Sequence, residues 1–98
     1  MSGPRAATEV FADRLAVVLA ITEANGLRQR AQAAASGALI ERMNLEDHPA
    51  GATPGSLAEA QAQDDAAQRR LAEADARIAE LDGRLAALDA ELAAAAGR

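Results

Sequence analysis

The only histidine of the chain, His48, follows Glu46 and Asp47, so an imidazole stands beside two carboxylates. These groups could transfer protons or bind a metal ion, but a metal site needs further ligands, and the chain has no cysteine and no second histidine. It also has no glycine motif for phosphate and no nucleophile–base pairing. The sequence therefore predicts a protein that is not an enzyme and uses no metal, cofactor or small-molecule substrate.

Arg28, Arg30 and Arg42 are the residues of the first half best suited to contact phosphate. They would lie on the second helix of a helix-turn-helix if Asn25-Gly26 were its turn. The formal net charge of −5 argues against this hypothesis, because affinity for nucleic acid depends largely on neutralising phosphates. The sequence therefore favours a protein partner and keeps nucleic acid as the alternative.

The elements that must position these residues are helices. Alanine, leucine, arginine and glutamate supply most positions, whereas the chain has one Phe and no Tyr or Trp. We predict one all-α domain, 1–98, with a first helical arm at 6–43 and a possible break at 25–26. A loop at 44–55 precedes a helix at 56–96, and Ser56 and Glu59 match a capping box at the start of that helix.

The second helix carries a heptad of the coiled-coil type. One series, here called a, occupies Leu57, Asp64, Leu71, Ile78, Leu85 and Leu92. The other series, called d, occupies Ala60, Ala67, Ala74, Leu81, Leu88 and Ala95. The spacing of four and three is unbroken, and Asp64 is its one polar member. The pattern predicts that this helix packs against a partner helix along the a and d residues, which we call the α2 seam.

Charged residues flank the α2 seam in a regular order. Arginines occupy the g positions and aspartates the e positions, namely Arg70, Arg77, Arg84, Asp75, Asp82 and Asp89. In a parallel pair of identical helices each g arginine faces an e aspartate, whereas an antiparallel pair brings like charges together. The charges therefore predict a parallel pair if two copies of this helix associate.

A rival partner lies in the same chain. If the two arms fold back on each other about residue 50, Leu81, Leu85 and Leu88 meet the apolar stripe that runs from Phe11 to Leu19. Small residues then face each other near the loop. The predicted packing residues are Phe11, Leu15, Val18, Leu19, Leu71, Ile78, Leu81, Leu85, Leu88 and Leu92.

Large apolar residues are too few to stabilise a lone hairpin well, so we expect an antiparallel helical hairpin that assembles into a homo-oligomer. The longest apolar run, from Leu15 to Ile21, is far short of a membrane span, and a cytoplasmic protein is expected. The predicted function is that of an oligomerisation or adaptor protein, of the kind found in secretion or virion assembly, with an unidentified protein partner. The alternative is a nucleic-acid-linked factor, such as a phage-type DNA-packaging small subunit or a DNA-binding regulator.

Overall fold

Two long helices account for nearly all of the computed structural model, which describes residues 5–51 and 53–97. Helix α1 spans Ala7–Asp47 and helix α2 spans Ser56–Ala96. The two helices pack as a hairpin, and the described residues contain no strand. The prediction of an all-α helical hairpin is therefore confirmed.

Helix α1 continues through Asn25-Gly26 without a break. Gly26 does not adopt a positive φ, so it does not form the left-handed cap that would end a helix there. A glycine in the interior of a helix costs about 1 kcal/mol relative to alanine. The strong helix formers on both sides and the packing against α2 offset this cost.

Helix α1 extends four residues beyond the predicted end at Met43 and ends at Asp47. The His48 amide still donates a hydrogen bond to the Asn44 carbonyl, at 2.9 Å. Pro49 follows, and a residue before proline is disfavoured in the helical conformation. The chain then makes one 3-10 turn, Pro49–Gly51. His48 is exposed.

The start of α2 differs from the predicted capping box. The Ser56 hydroxyl donates to the Thr53 carbonyl at 2.7 Å, and the Glu59 amide donates to the Gly55 carbonyl at 2.9 Å. Ser56 is thus already inside the helix rather than its cap. Gly55 has a φ of 87°, a conformation that glycine adopts without strain, and this turn sets the direction in which α2 leaves the loop.

The chain divides into two compact units at Asn25/Gly26 and at Asp75/Ala76. The first unit combines the beginning of α1 with the end of α2, and the second combines the end of α1 with the loop and the beginning of α2. The core of the first unit consists of Val10, Val17, Ala24, Leu81 and Leu88. The second unit buries mainly alanines, which are Ala31, Ala35, Ala38, Ala60, Ala67 and Ala74.

Replacement of Gly83 by alanine should stabilise the protein by about 0.5–1 kcal/mol, because a Cβ at this exposed helical position meets no atom within 4 Å. Gly55→Ala is the matched control, since its positive φ is unfavourable for alanine although the surrounding space is also empty. Urea unfolding followed by circular dichroism measures both. A Gly83→Ala variant less stable than the parent would contradict the expectation.

Candidate interaction surface

The α2 seam is the surface that packs against α1. Ala60, Ala67, Ala74, Leu81 and Leu88 are buried, whereas Leu71, Ile78, Leu85 and Leu92 are half-buried. Within the first unit, Ile78, Leu85 and Leu92 pack against the cluster formed by Leu81, Leu88 and the α1 residues. Leu57, at the beginning of α2, is exposed. The seam that a parallel pair of α2 helices would use is therefore already covered by α1.

The face of α1 that meets α2 is not the predicted one. Phe11, Leu15 and Leu19 are 58%, 60% and 61% exposed, so the expected packing of this stripe on Leu81, Leu85 and Leu88 is wrong. Val10 and Val17 are buried in its place, and Val18 is half-buried.

The buried face of α1 follows its own heptad. Its buried and half-buried members are Val10, Arg14, Val17, Ile21, Ala24, Arg28, Ala31, Ala35, Ala38, Arg42 and Leu45. Three of these positions hold arginine, which hides the pattern from a search for apolar residues alone. Arginine can occupy them because its aliphatic stem covers the seam while its charged end reaches the edge.

Each of the three arginines is bonded to a side chain of α2. Arg14 Nε donates to Asp89 at 2.7 Å, and Arg28 Nε donates to Asp75 at 2.5 Å. Arg42 donates to Gln61 at 3.2 Å and to Asp64 at 3.1 Å.

These contacts share one spacing. The arginines follow one another at intervals of fourteen residues, and so do Asp89, Asp75 and Gln61 in the reverse direction. Two heptads separate successive contacts, so each brings the same faces of the two helices together. We call these contacts the arginine ladder. They favour the observed register, because a slip by one heptad would place each aspartate beside a residue other than arginine.

The contact at Arg42 is the most buried part of the arginine ladder. Asp64 is 8% exposed and occupies an a position of the α2 seam. Its Oδ2 accepts from Arg42, whereas its Oδ1 and the Arg42 Nε have no hydrogen-bond partner, although Nε lies 3.8 Å from a Glu46 carboxylate oxygen. The pair therefore satisfies the polar groups only in part, which makes it a weak source of stability.

A further ion pair joins Arg5, two residues before the start of α1, to α2 within the first unit. Arg5 donates to Glu91 at 2.8 Å and also bonds Asp13. The bond to Glu91 and then the bond to Asp13 raise the pKa of the Arg5 guanidinium above its ordinary value, so it remains charged at any pH at which the protein folds. Like the arginine ladder, this contact pairs an acid of α2 with an arginine from the N-terminal part of the chain.

The charges predicted to orient two copies thus have different roles within the chain. Asp75 and Asp89 are bonded to α1, and Arg77 pairs with Glu80 one turn along its own helix at 3.3 Å.

Arg70 lines an open groove of about 500 Å³ in the second unit, together with Ala34, Gly37 and Ala38. Arg84 lines a smaller one of about 280 Å³ in the first unit. Asp82 is exposed.

The arginines considered for nucleic acid are also partly engaged. Arg28 and Arg42 bond acids of α2, and Arg30 remains exposed. Among residues 5–51 and 53–97, no group of three or more His, Asp or Glu side chains is placed to hold a metal ion. In the same part of the chain, neither helix has the length of apolar sequence needed to cross a bilayer.

Seven large apolar side chains of α1 are left exposed: six of them lie in two groups, and Leu27 lies between these groups along the helix. The first unit exposes Phe11, Leu15 and Leu19, which we call the N-terminal outer group. The second exposes Leu39, Ile40 and Met43, the C-terminal outer group. A monomer rarely exposes such groups without a function, so they are the candidate interaction surface. Comparisons with protein families, with curated proteins and with solved structures give no match for this chain.

Proposed function

We propose that this protein is a non-enzymatic helical module that self-associates through α1 and presents the assembled helices to a protein partner. The observation that carries the proposal is the exposure of the N-terminal outer group, with Phe11, Leu15 and Leu19 each more than half exposed. Complete burial of a fully exposed side chain of this size is worth about 1.5–3 kcal/mol, and covering the exposed half of each contributes part of that, so a surface of this composition favours association.

The α2 seam is not the proposed association surface. Helix α1 covers it, and the aspartates Asp75 and Asp89 are bonded to arginines of α1. A parallel pair of α2 helices would require the hairpin to open and break these contacts. Association through the outer groups leaves them intact, and therefore has the lower free-energy cost.

Light scattering over a range of protein concentrations tests the proposal. The parent protein should form a defined oligomer, and the variant Phe11→Ser/Leu15→Ser/Leu19→Ser should be a monomer that remains helical, because more than half of each of these residues is exposed. Ala79→Ser/Ala86→Ser/Ala93→Ser alters exposed positions of α2 and should leave the oligomer intact. A parent protein that is monomeric at every concentration would refute self-association.

The nucleic-acid alternative stays a prediction that no observation favours. Arg28 is bonded to Asp75 and Arg42 to Asp64, so only Arg30 of the three offers its charge without first breaking an ion pair. A gel-shift titration with duplex DNA at low salt tests this alternative. Binding that weakens in Arg28→Ala/Arg30→Ala would support it, and no binding at low salt would end it.

A further inference from the structure

The exposed residues of α1 form a second series with heptad spacing. Counted along the helix in steps of four and three, it comprises Phe11, Leu15, Val18, Thr22, Asn25, Gln29, Gln32, Ser36, Leu39 and Met43. All are exposed except Val18, which is half-buried. Leu19 and Ile40, also exposed, stand next to this series in the helical repeat. A repeat of this kind is the pattern by which one helix packs against another.

The order of apolar and polar residues in the second series is similar in the two directions along the helix. Large apolar residues begin it and end it, whereas its five central members are polar, from Thr22 to Ser36. If an identical series is laid beside it in the opposite direction, Phe11 comes opposite Met43, and Leu15 opposite Leu39. Asn25 then comes opposite Gln29, and the two side-chain amides can hydrogen-bond to each other. The series is therefore complementary to a reversed copy of itself, which is the requirement for an interface with twofold symmetry.

We infer that two copies of the protein pair antiparallel through the second series of α1, with the twofold axis close to Gly26 and Leu27. This inference rests on the proposed self-association and specifies its partner, orientation and register. The N-terminal outer group of each copy is covered by the C-terminal outer group of the other. Gly26, which has no side chain, lies close to the centre of this alignment.

Charge complementarity supports the antiparallel orientation. Glu23 and Arg30 are exposed, and neither forms an ion pair among the residues that the structure describes. Arg30 Nη1 lies 3.7 Å from the position that a Gly26 Cβ would take, so the guanidinium sits beside the proposed centre. In the antiparallel pair, Glu23 of each copy lies within one helical turn of Arg30 of the other, which gives two ion pairs. A parallel pair forms neither of these ion pairs.

The polar centre also selects the register. A slip of one heptad in the antiparallel pair would bring Phe11 opposite Ser36 and Leu15 opposite Gln32. Large apolar groups would then face polar ones, and a buried amide without a partner is costly. A central polar pair is known to specify register and orientation in paired helices at some cost in stability. Compared with this slipped register, the proposed alignment places apolar ends on apolar ends and polar centre on polar centre, with the exception of Val18, which comes opposite Ser36.

Disulfide crosslinking between single-cysteine variants tests the orientation, because the parent chain contains no cysteine. Leu15→Cys carrying a size tag is mixed with untagged Leu39→Cys under mild oxidation. We expect the mixed disulfide to form rapidly and each variant alone to stay uncrosslinked, since identical sites in the antiparallel pair lie about 36 Å apart. Ala79→Cys mixed with Leu39→Cys gives the rate of random collision.

The other outcomes each overturn the inference in a recognisable way. Rapid crosslinking of Leu15→Cys with itself would show a parallel pair. Self-association in light scattering without any crosslinking above the collision rate would place the interface elsewhere and leave the proposed function standing. A parent protein that remains monomeric would contradict both the antiparallel pairing and the proposed self-association.

A charge exchange provides a second measurement that leaves the apolar residues unchanged. Glu23→Arg and Arg30→Glu should each weaken dimerisation about threefold to tenfold, because two attractive contacts become repulsive. The double variant Glu23→Arg/Arg30→Glu should return to within about twofold of the parent, since the pairs are restored with exchanged signs. Equal dissociation constants for all four proteins would contradict the proposed alignment.

Discussion

Truncation of Leu81 to alanine is expected to destabilise the hairpin by about 2–5 kcal/mol. Leu81 is 0% exposed and is the one large side chain that is fully buried among the described residues. It packs in the cluster with Val10, Val17 and Leu88, and alanine would leave a cavity between two helices that have few other large side chains to close it. A loss of this size is a large share of the stability of a small domain.

Leu57→Ala is the matched control for this prediction, because Leu57 is 44% exposed in the same helix and its truncation should cost much less. Urea unfolding followed by circular dichroism gives both values. The protein concentration must be equal throughout, since association would add to the apparent stability. If the two truncations cost the same, the cluster around Leu81 is not the core of the first unit.

The second large effect is expected at Arg42, where Arg42→Ala should cost about 1–3 kcal/mol. Asp64 is 8% exposed, and Arg42 is its hydrogen-bond partner, so the truncation would leave a buried carboxylate unpaired. Arg69→Ala, which removes an exposed arginine of α2, should change the stability by less than about 0.5 kcal/mol. The free energy of unfolding is again the measurement.

Asp64→Leu should have the opposite result and leave the protein equally stable or more stable. The Oδ1 of Asp64 has no hydrogen-bond partner, so the substitution removes a buried group that is only half satisfied. Leucine would also continue the apolar a series of the α2 seam, while Arg42 keeps its hydrogen bond to Gln61. Equal losses in Arg42→Ala and Asp64→Leu would show instead that the ion pair itself is a net source of stability.

The two arms differ in how much of their packing could be predicted. In α2, leucine, isoleucine and alanine occupy the heptad positions, so their spacing alone predicted the packing surface around Leu81 and Leu88. In α1, the outer stripe of Phe11, Leu15 and Leu19 is more apolar than the buried face. An arginine at a packing position gives no apolar signal, although its stem packs as an apolar group.

A clue to the buried face of α1 was nevertheless present in the sequence. Arg14, Arg28 and Arg42 recur every fourteen residues, the length of two heptads, and α2 carries Asp75 and Asp89 at the same interval. Matching spacings of opposite charges on two arms indicate paired faces. A search for charged residues at heptad intervals in both arms would have found the arginine ladder.

The aspartates at e positions show why partner choice could not be derived from α2 alone. Asp75 and Asp89 are complementary both to arginines of a second α2 and to Arg28 and Arg14 of the same chain. A short loop holds α1 next to α2 at a high effective concentration, whereas a second copy must be recruited from solution. Helix α1 of the same chain therefore competes for these aspartates more effectively than α2 of a second copy.

By itself, the sequence determined the two helices, the loop between them and the heptad of α2, because these depend on helix propensity and on spacing along one chain. Only the tertiary structure decided which face of α1 is buried and which is left outside. That choice places Val10, Val17 and three arginine stems against α2 and leaves Phe11, Leu15 and Leu19 exposed. The reason is physical: packing and ion pairs between two helices depend on both partners at once, and neither helix contains that information alone.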